Sequence, residues 1–438
     1  MPILKRKVKL TAMNNMQGFR CAPLERVRIG VVGIGRRGEW AVKRLSKIDG
    51  LEVTAIADVE EYRLKEGNAS LEKESKPPAK EYLGAESYLA LADDPNVDLV
   101  YITAPWPVHV PAALAALERG KHCAVEVPCA MTIEDCWRLV EAAEKAKRHV
   151  IPLENCCYGD EELLALNLCR QGVLGEIVHA EGAYIHNLAA ENFAEVDGCK
   201  YFTALRGSWD RWRLKWNELH DGNPYPTHGL GPICQYMNVN RSDKLDFVVS
   251  VSSKQAGITE FAKSQFGVDS PEAKTPYKLG DMNTSIFRTA KGRTIMIQHA
   301  VQTPRPYSRI NLVSGTKGTL TGYPFRVALL PNYEKWLEGE ELAKFKEKYT
   351  HPFVLSSGEL AKKIGGHGGM DFMMDLRWSH CLRNGLAMDA DVYDAATWSA
   401  LTELSEISVA KGSSPVEVPD FTRGGWKTAE PLGIVDIR

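Results

Sequence analysis

The chain has 438 residues, 44% of them hydrophobic and 25% charged, close to globular averages and long enough for two or three domains around a sizeable core. Lys plus Arg (54) nearly cancels Asp plus Glu (56), so nothing in the overall charge favours nucleic acid or an anionic membrane surface, and a small-molecule partner is expected. The ten cysteines include the adjacent Cys156 and Cys157 but no Cys-x-x-Cys pair, which argues for reduced, buried thiols over a zinc knuckle or disulfide framework; no metal site is expected.

Residues 1–26 are basic and lack the apolar core of about 7 to 15 residues that a secretory signal needs, so they read as an N-terminal extension. As written, the chain is expected in the cytoplasm; a periplasmic or secreted home would require a signal already removed.

From Val27 short β-branched apolar runs alternate with amphipathic segments. Val27 to Gly33, Leu51 to Asp58, Asp98 to Thr103, His122 to Glu126 and His149 to Leu153 read as buried parallel strands. Glu39 to Ile48, Val108 to Arg119 and Ile133 to Lys147 carry helical spacing between them. This βαβ grammar predicts an α/β Rossmann domain over residues 27–157, a doubly wound parallel sheet with right-handed crossovers.

The first turn of that domain, IGVVGIGRRG, places Gly33, Gly35 and Gly38 between a strand and a helix. Gly33 permits the tight bend, Gly35 lets backbone approach a pyrophosphate, and Gly38 lets the helix pack on the strand. Asp58 closes the second strand, where a carboxylate accepts from both ribose hydroxyls and repels a 2′-phosphate, so NAD is favoured over NADP. Arg36 and Arg37 count against that preference, since either is long enough to reach such a phosphate. Trp106 and His109 follow the strand Asp98 to Thr103, whose carboxyl end faces the cofactor, and Asn155 follows the last strand of this half.

After about residue 175 the pattern changes to period-2 runs: Glu176 to Asn187, Phe247 to Lys254, Thr284 to Thr289, Thr294 to Gln302 and Ile310 to Val313. They predict an α+β domain over residues 158–438 with a largely antiparallel open sheet, one face covered and one free, and hence a homo-oligomer. Cys199 to Gly231, rich in Trp, Arg, Asn, Pro and Gly, reads as a long irregular functional loop. Met370 to Leu386 and Tyr393 to Ala410 read as closing helices.

The glycine turn together with Glu126-Val127-Pro128 resembles the glucose-fructose oxidoreductase and inositol dehydrogenase superfamily, whose dehydrogenases usually carry Glu-Lys-Pro. In those enzymes the lysine helps polarise the substrate alcohol, so its absence implies that net oxidation is not the task. Glu154-Asn155-Cys156-Cys157-Tyr158, Glu181 to Asn187 and Asn223 to Pro232, with its Tyr-Pro-Thr-His-Gly run, resemble glycoside hydrolase family 109, the NAD-dependent α-N-acetylgalactosaminidases. The resemblance runs from about Val27 into the C-terminal region. It implies oxidation at sugar C3, elimination of the aglycone from C1, addition of water and return of the hydride, an exception to the paired-carboxylate scheme. It also implies that Arg36, Arg37, Glu126, Val127 and Asn155 contact the cofactor, and that Glu154, Tyr184, Arg213, Tyr225, His228 and Tyr307 face the sugar. Tyr184, with its pKa lowered by a nearby Arg⁺ or the nicotinamide charge, is the candidate for C2 proton transfer, and His228 for the C3 hydroxyl; the two roles are exchangeable. Gly365-Gly366-His367-Gly368-Gly369 reads as a mobile loop presenting an imidazole that serves the departing oxygen. A net sugar dehydrogenase of the same fold and a non-catalytic sugar or dinucleotide sensor are the competing readings.

Overall fold

The structure, a computed structural model, describes residues 15–193, 211–332 and 334–437. The first half holds β1 (Val27–Val32), β2 (Leu51–Asp58), β3 (Lys80–Leu83), β4 (Leu99–Ile102), β5 (His122–Val125) and β6 (Val150–Pro152). All pair in parallel in the order β3-β2-β1-β4-β5-β6, the doubly wound arrangement whose switch point lies between β1 and β4. The five strands expected from apolar runs are present within one or two residues. β3 was not expected: its four residues form an edge strand with three side chains exposed, so it carries no hydrophobic signal.

The second sheet contains β7 (Ile177–Ile185), β8 (Leu245–Ser252), β9 (Asn283–Thr289), β10 (Thr294–Ala300), β11 (Leu312–Gly315), β12 (Gly318–Thr321), β13 (Arg326–Leu329) and β14 (Val416–Glu417). Their order is β13-β12-β11-β7-β10-β9-β8-β14, antiparallel except where β10 lies parallel to β7. β12, β13 and β14 are additional to the expected strands, and the run Ile310 to Val313 begins later than expected. Ile310 and Asn311 have φ of 60° and 53°, left-handed values that a strand cannot continue through.

The closing helices Met370–Asn384 and Val392–Ala410 form as expected, but they do not stay with the second sheet. Phe372, Met373 and Trp378 pack in one apolar cluster with Val27, Ile29 and Val31 of β1. Val392–Ala410 lies between the helix Ile133–Ala146 and β8. The two halves are therefore joined by shared core. The described part of the N-terminal extension is tied down as well: Met16 is buried and its N–H donates to Tyr393 Oη at 3.0 Å. Among the described residues no helix is long and apolar enough to cross a membrane.

Beneath the first sheet, His122 and His149 stack with ring centroids 5.3 Å apart, and both are buried. Burial and the neighbouring Arg148, and for His122 also His149, push them down to about 3 and about 4. Because the folded imidazoles stay neutral while the unfolded ones titrate near 6.5, stability is full above that pH and falls as acid protonates the unfolded chain. For His149 the loss at pH 5 is on the order of 2 kcal/mol. We expect thermal unfolding of His149→Asn to show a shallower fall in Tm between pH 7.5 and 5 than the parent, whatever its Tm at pH 7.5; an unchanged slope would refute the assignment.

Candidate active site

The glycine turn between β1 and the helix Arg36–Leu45 is built by close approach. Gly33 has φ of 87°, and a Cβ there would lie 2.6 Å from the Ala104 nitrogen; one on Gly38 would lie 1.9 Å from the Gly33 oxygen. Gly35 caps the helix, so the unpaired N–H groups of its first turn open on a cleft of about 1110 Å³, part of it open solvent, whose walls include Asp58, Arg63 and Tyr88. The Asp58 carboxylate accepts the Ile34 N–H at 2.6 Å and the Glu60 N–H at 3.0 Å, which fixes it at the end of β2 with lone pairs to spare. A helix N-terminus for a pyrophosphate and a fixed carboxylate for ribose hydroxyls fit a dinucleotide. The arginines expected to threaten NAD preference are engaged elsewhere: Arg36 lies 3.4 Å from Glu191, and Arg37 binds Glu126 and Asp371.

A second cleft continues from the first, between the carboxyl ends of the Rossmann strands and β7. Tyr184 stands near the end of β7, and His228 in the first turn of the helix Thr227–Tyr236. They meet because two glycines let strand and helix touch: a Cβ on Gly182 would lie 2.4 Å from the Gly229 oxygen, and one on Gly229 would lie 2.5 Å from the Ala183 nitrogen. The rings of Tyr184 and His228 are 5.2 Å apart edge to face, with Tyr225 packed 4.7 Å and 4.8 Å from them. His228 Nδ1 lies 2.7 Å from Glu154 Oε1. Burial would raise the Glu154 carboxyl, but His228 and the Cys156 N–H hold it below its ordinary value, so Glu154 is an anionic acceptor that orients the imidazole. Cys156 completes a trio with Glu154 and His228 whose ligand-type atoms lie within 4.8 Å of one another, but the Glu154 oxygen is already occupied by the histidine.

Trp106 packs on Trp212 at 4.6 Å, and the Arg213 guanidinium lies 5.1 Å over the Trp106 ring and 5.5 Å over Tyr225. These form an aromatic and cationic wall. His109 has its ring nitrogens 2.9 Å from the Pro128 oxygen and 2.8 Å from the Ala104 oxygen, so it shapes the backbone around the cleft. Glu126, Val127 and Asn155 line the floor, Val127 with an apolar surface where the dehydrogenases carry lysine. Tyr307 is 41% exposed, accepts from Arg309 Nη1 at 2.8 Å and meets His186 edge-on at 5.1 Å, placing it on the rim behind that histidine.

His367 also faces this cleft, on the glycine segment expected to present it. Residues 365–369 all have positive φ, His367 at 47°, and form a short turn between the helices Pro352–Ile364 and Met370–Asn384. The flanking glycines are needed for conformation and space: a Cβ on Gly366 would lie 2.9 Å from Asp371 Cβ. His367 Nδ1 sits 2.9 Å from Asp371 Oδ2, which also pairs with Arg37 Nη1 at 3.0 Å, while Asp371 Oδ1 accepts from Asn155 Nδ2 at 2.6 Å. Burial opposes the Asp371 charge, but Arg37, His367 and Arg44 hold its carboxyl far below the usual range.

Two further expectations are corrected. Arg213 does not lower the Tyr184 phenol below its ordinary value: burial outweighs it and pushes the pKa far up, and the hydroxyl instead lies 2.9 Å from His186 Nδ1. Of the irregular segment Cys199 to Gly231, residues 199–210 lie outside the described residues, and the remainder holds the helix Trp212–Leu219 and the start of Thr227–Tyr236. Pro232 and several glycines hide that second helix from a periodicity argument. His186, Glu191, Trp212 and Asp371 line or brace the clefts without having been singled out. For two of them a signal existed: His186 is two residues past Tyr184 on one strand face, and Asp371 is four past His367.

Replacing Asp58 with Ala should weaken NAD binding by about 1.5 to 3 kcal/mol, roughly 10- to 150-fold, measured by fluorescence titration. A change under twofold would remove Asp58 from the ribose.

Residues 27–153 match the oxidoreductase-family model of an NAD-binding Rossmann fold, and residues 158–428 match that of the glycosyl hydrolase 109 C-terminal domain. The chain is 46% identical over 421 residues to an alpha-N-acetylgalactosaminidase of Bacteroides fragilis, covering 96% of this chain and 97% of that protein. It is 46% identical over 414 residues to a glycosyl hydrolase family 109 protein of Phocaeicola vulgatus, covering 94% and 98% of the two chains. Among solved structures, levoglucosan dehydrogenase in complex with NADH and levoglucosan superposes with a TM-score of 0.65 at 17% identity over 90% of this chain and 100% of that one, a likeness of fold. Matched along both halves, with an NAD-binding Rossmann domain leading into the hydrolase domain, the chain belongs to glycosyl hydrolase family 109.

Proposed function

We propose that the chain removes terminal N-acetylgalactosamine from glycosides by oxidation, elimination, addition of water and reduction, with no net redox change. The observation that carries this reading is the convergence of Tyr184, His228 and His367 on one cleft beside the dinucleotide turn, with apolar Val127 in place of a cationic lysine. NAD held along Gly33, Gly35, Asp58, Glu126 and Asn155 supplies the acceptor for the C3 hydride and its later return.

His228, oriented through Nδ1 by Glu154, directs Nε2 to take the C3 hydroxyl proton. Tyr184 handles the proton at C2, which a C3 ketone acidifies. The Arg213, Trp106 and Tyr225 wall offers donors and stacking faces to the sugar and its acetamido group. His367, oriented by Asp371, gives a proton to the departing oxygen and then takes one from water. Exposed Val178, Val251 and Ile286 on the second sheet favour a homo-oligomer through that face, which light scattering of the purified chain would read directly.

A chromogenic N-acetylgalactosaminide tests the reading. The expected result is aglycone release without accumulating NADH; NADH accumulation with free sugar would establish a net dehydrogenase, and neither signal a sensor. His367→Ala should slow release of an ordinary sugar aglycone by about 10² to 10⁴ while affecting an activated phenol much less. Equal losses on both would remove His367 from leaving-group protonation.

A further inference from the structure

We propose that His186 is the group that takes up the C2 proton, through Tyr184, so that the two side chains act as one base. The inference rests on the glycosidase reading above and adds to it the destination of the proton.

Tyr184 is the next-to-last residue of β7 and His186 the first beyond it, where the His186 N–H still donates to the Ala300 oxygen at 2.9 Å, so the two side chains lie two residues apart along nearly continuous strand. The Tyr184 oxygen lies 2.9 Å from His186 Nδ1, with the rings 5.5 Å apart and at 88° to each other. In the tautomer the proposal requires, the hydroxyl donates, Nδ1 accepts and the imidazole proton sits on Nε2. No hydrogen bond engages Nε2 among the described residues, and the ring lines the cleft.

The pairing resolves a difficulty in using Tyr184 alone. Burial disfavours a tyrosinate so strongly that the opposing Arg213 leaves the phenol far above neutral pH. A phenol that passes its own proton on as it receives another never carries that charge. His186 is suited to receive it. Burial first, and then Arg213, His228 and His367, hold its pKa below the ordinary value, while Glu191 acts the other way. Tyr307 meets the ring edge-on and adds no charge at neutral pH. The imidazole is therefore neutral at pH 7, with the Glu191 carboxylate placed to favour the imidazolium once it forms.

The step balances as follows. With C3 already a ketone, the C2–H bond breaks and its proton goes to the Tyr184 oxygen, while the Tyr184 hydroxyl proton moves to His186 Nδ1. The C–H electron pair becomes the C1–C2 double bond. The C1–O pair leaves with the aglycone, which takes a proton from His367. After water adds at C1, the path runs in reverse and His186 gives up its proton through Tyr184 to C2.

The test compares the parent with His186→Asn and His186→Gln, after checking that each variant keeps its bound NAD and its Tm. Asparagine retains a hydrogen-bond acceptor near the position of Nδ1, so a role that only holds Tyr184 in place survives it; proton uptake does not. The expected result is a kcat lower by about 10² in both variants with KM within threefold, and a larger kinetic isotope effect with substrate deuterated at C2. A His186→Asn enzyme with kcat within threefold of the parent, or with an unchanged isotope effect at C2, would overturn the proposal while leaving the glycosidase reading in place. A parent enzyme that cleaves no N-acetylgalactosaminide would overturn both.

Discussion

One buried carboxylate, that of Asp371, has more depending on it than any other group in the cleft. It is wholly inaccessible to solvent, and an isolated charge there would be prohibitively costly, so its four neighbours Arg37, His367, Asn155 and Arg44 are conditions of its presence. They come from three parts of the molecule, with Arg37 and Arg44 on the one helix Arg36–Leu45. Arg37 comes from the turn of the nucleotide fingerprint, Asn155 from the loop after β6, and His367 from the glycine segment that leads into the last third of the chain. Satisfying one anion therefore sets the position of the dinucleotide turn relative to the imidazole that serves the leaving group. Arg37 is itself a shared member, because its other edge holds Glu126 beside the cofactor position.

The same economy appears on the opposite wall, where contact replaces charge. Gly182 against Gly229 lets a helix start directly on β7, and Gly231 leaves room for Glu154, whose Cγ would lie 2.9 Å from a Cβ there. His228 is thus presented to Tyr184 by absent side chains. Both walls present imidazoles whose Nδ1 is held by a carboxylate, Glu154 for His228 and Asp371 for His367. In each case the protein fixes which nitrogen is left for chemistry.

Much of the first half was legible because its strands are buried on both faces, and continuous β-branched runs such as Val27 to Val32 have few other interpretations. The edge strand Lys80–Leu83 was not, since an exposed strand four residues long has no apolar signature. In the second half alternation located β7 to β10, while the left-handed residues at Ile310 and Asn311 displaced the start of β11. The cleft residues were legible to the extent that motif resemblance named them. What the sequence withheld was their pairing: that Tyr184 would be too deeply buried to ionise beside Arg213, and that the glycine segment around His367 would form a left-handed turn that sets the imidazole against Asp371. The first depends on packing from Leu279 and Val301, distant in sequence, to which local pattern is blind.

The return of the C-terminal helix to β1 bears on how this chain comes to exist in the cell. The face of the parallel sheet formed by Val27, Ile29 and Val31 is closed by Phe372, Met373 and Trp378. During synthesis Ala41, Val42 and Leu45 of the first helix are at hand to cover part of that face, but the rest stays open to water until more than three hundred further residues have emerged. The nucleotide-binding half is consequently not a module that can be cut out at residue 157 and expected to stand alone. Cofactor capture becomes a late event, coupled to arrival of the segment that also delivers His367 and Asp371. An incomplete chain would thus lack a finished dinucleotide site, the leaving-group acid and the carboxylate that orients it, all at once.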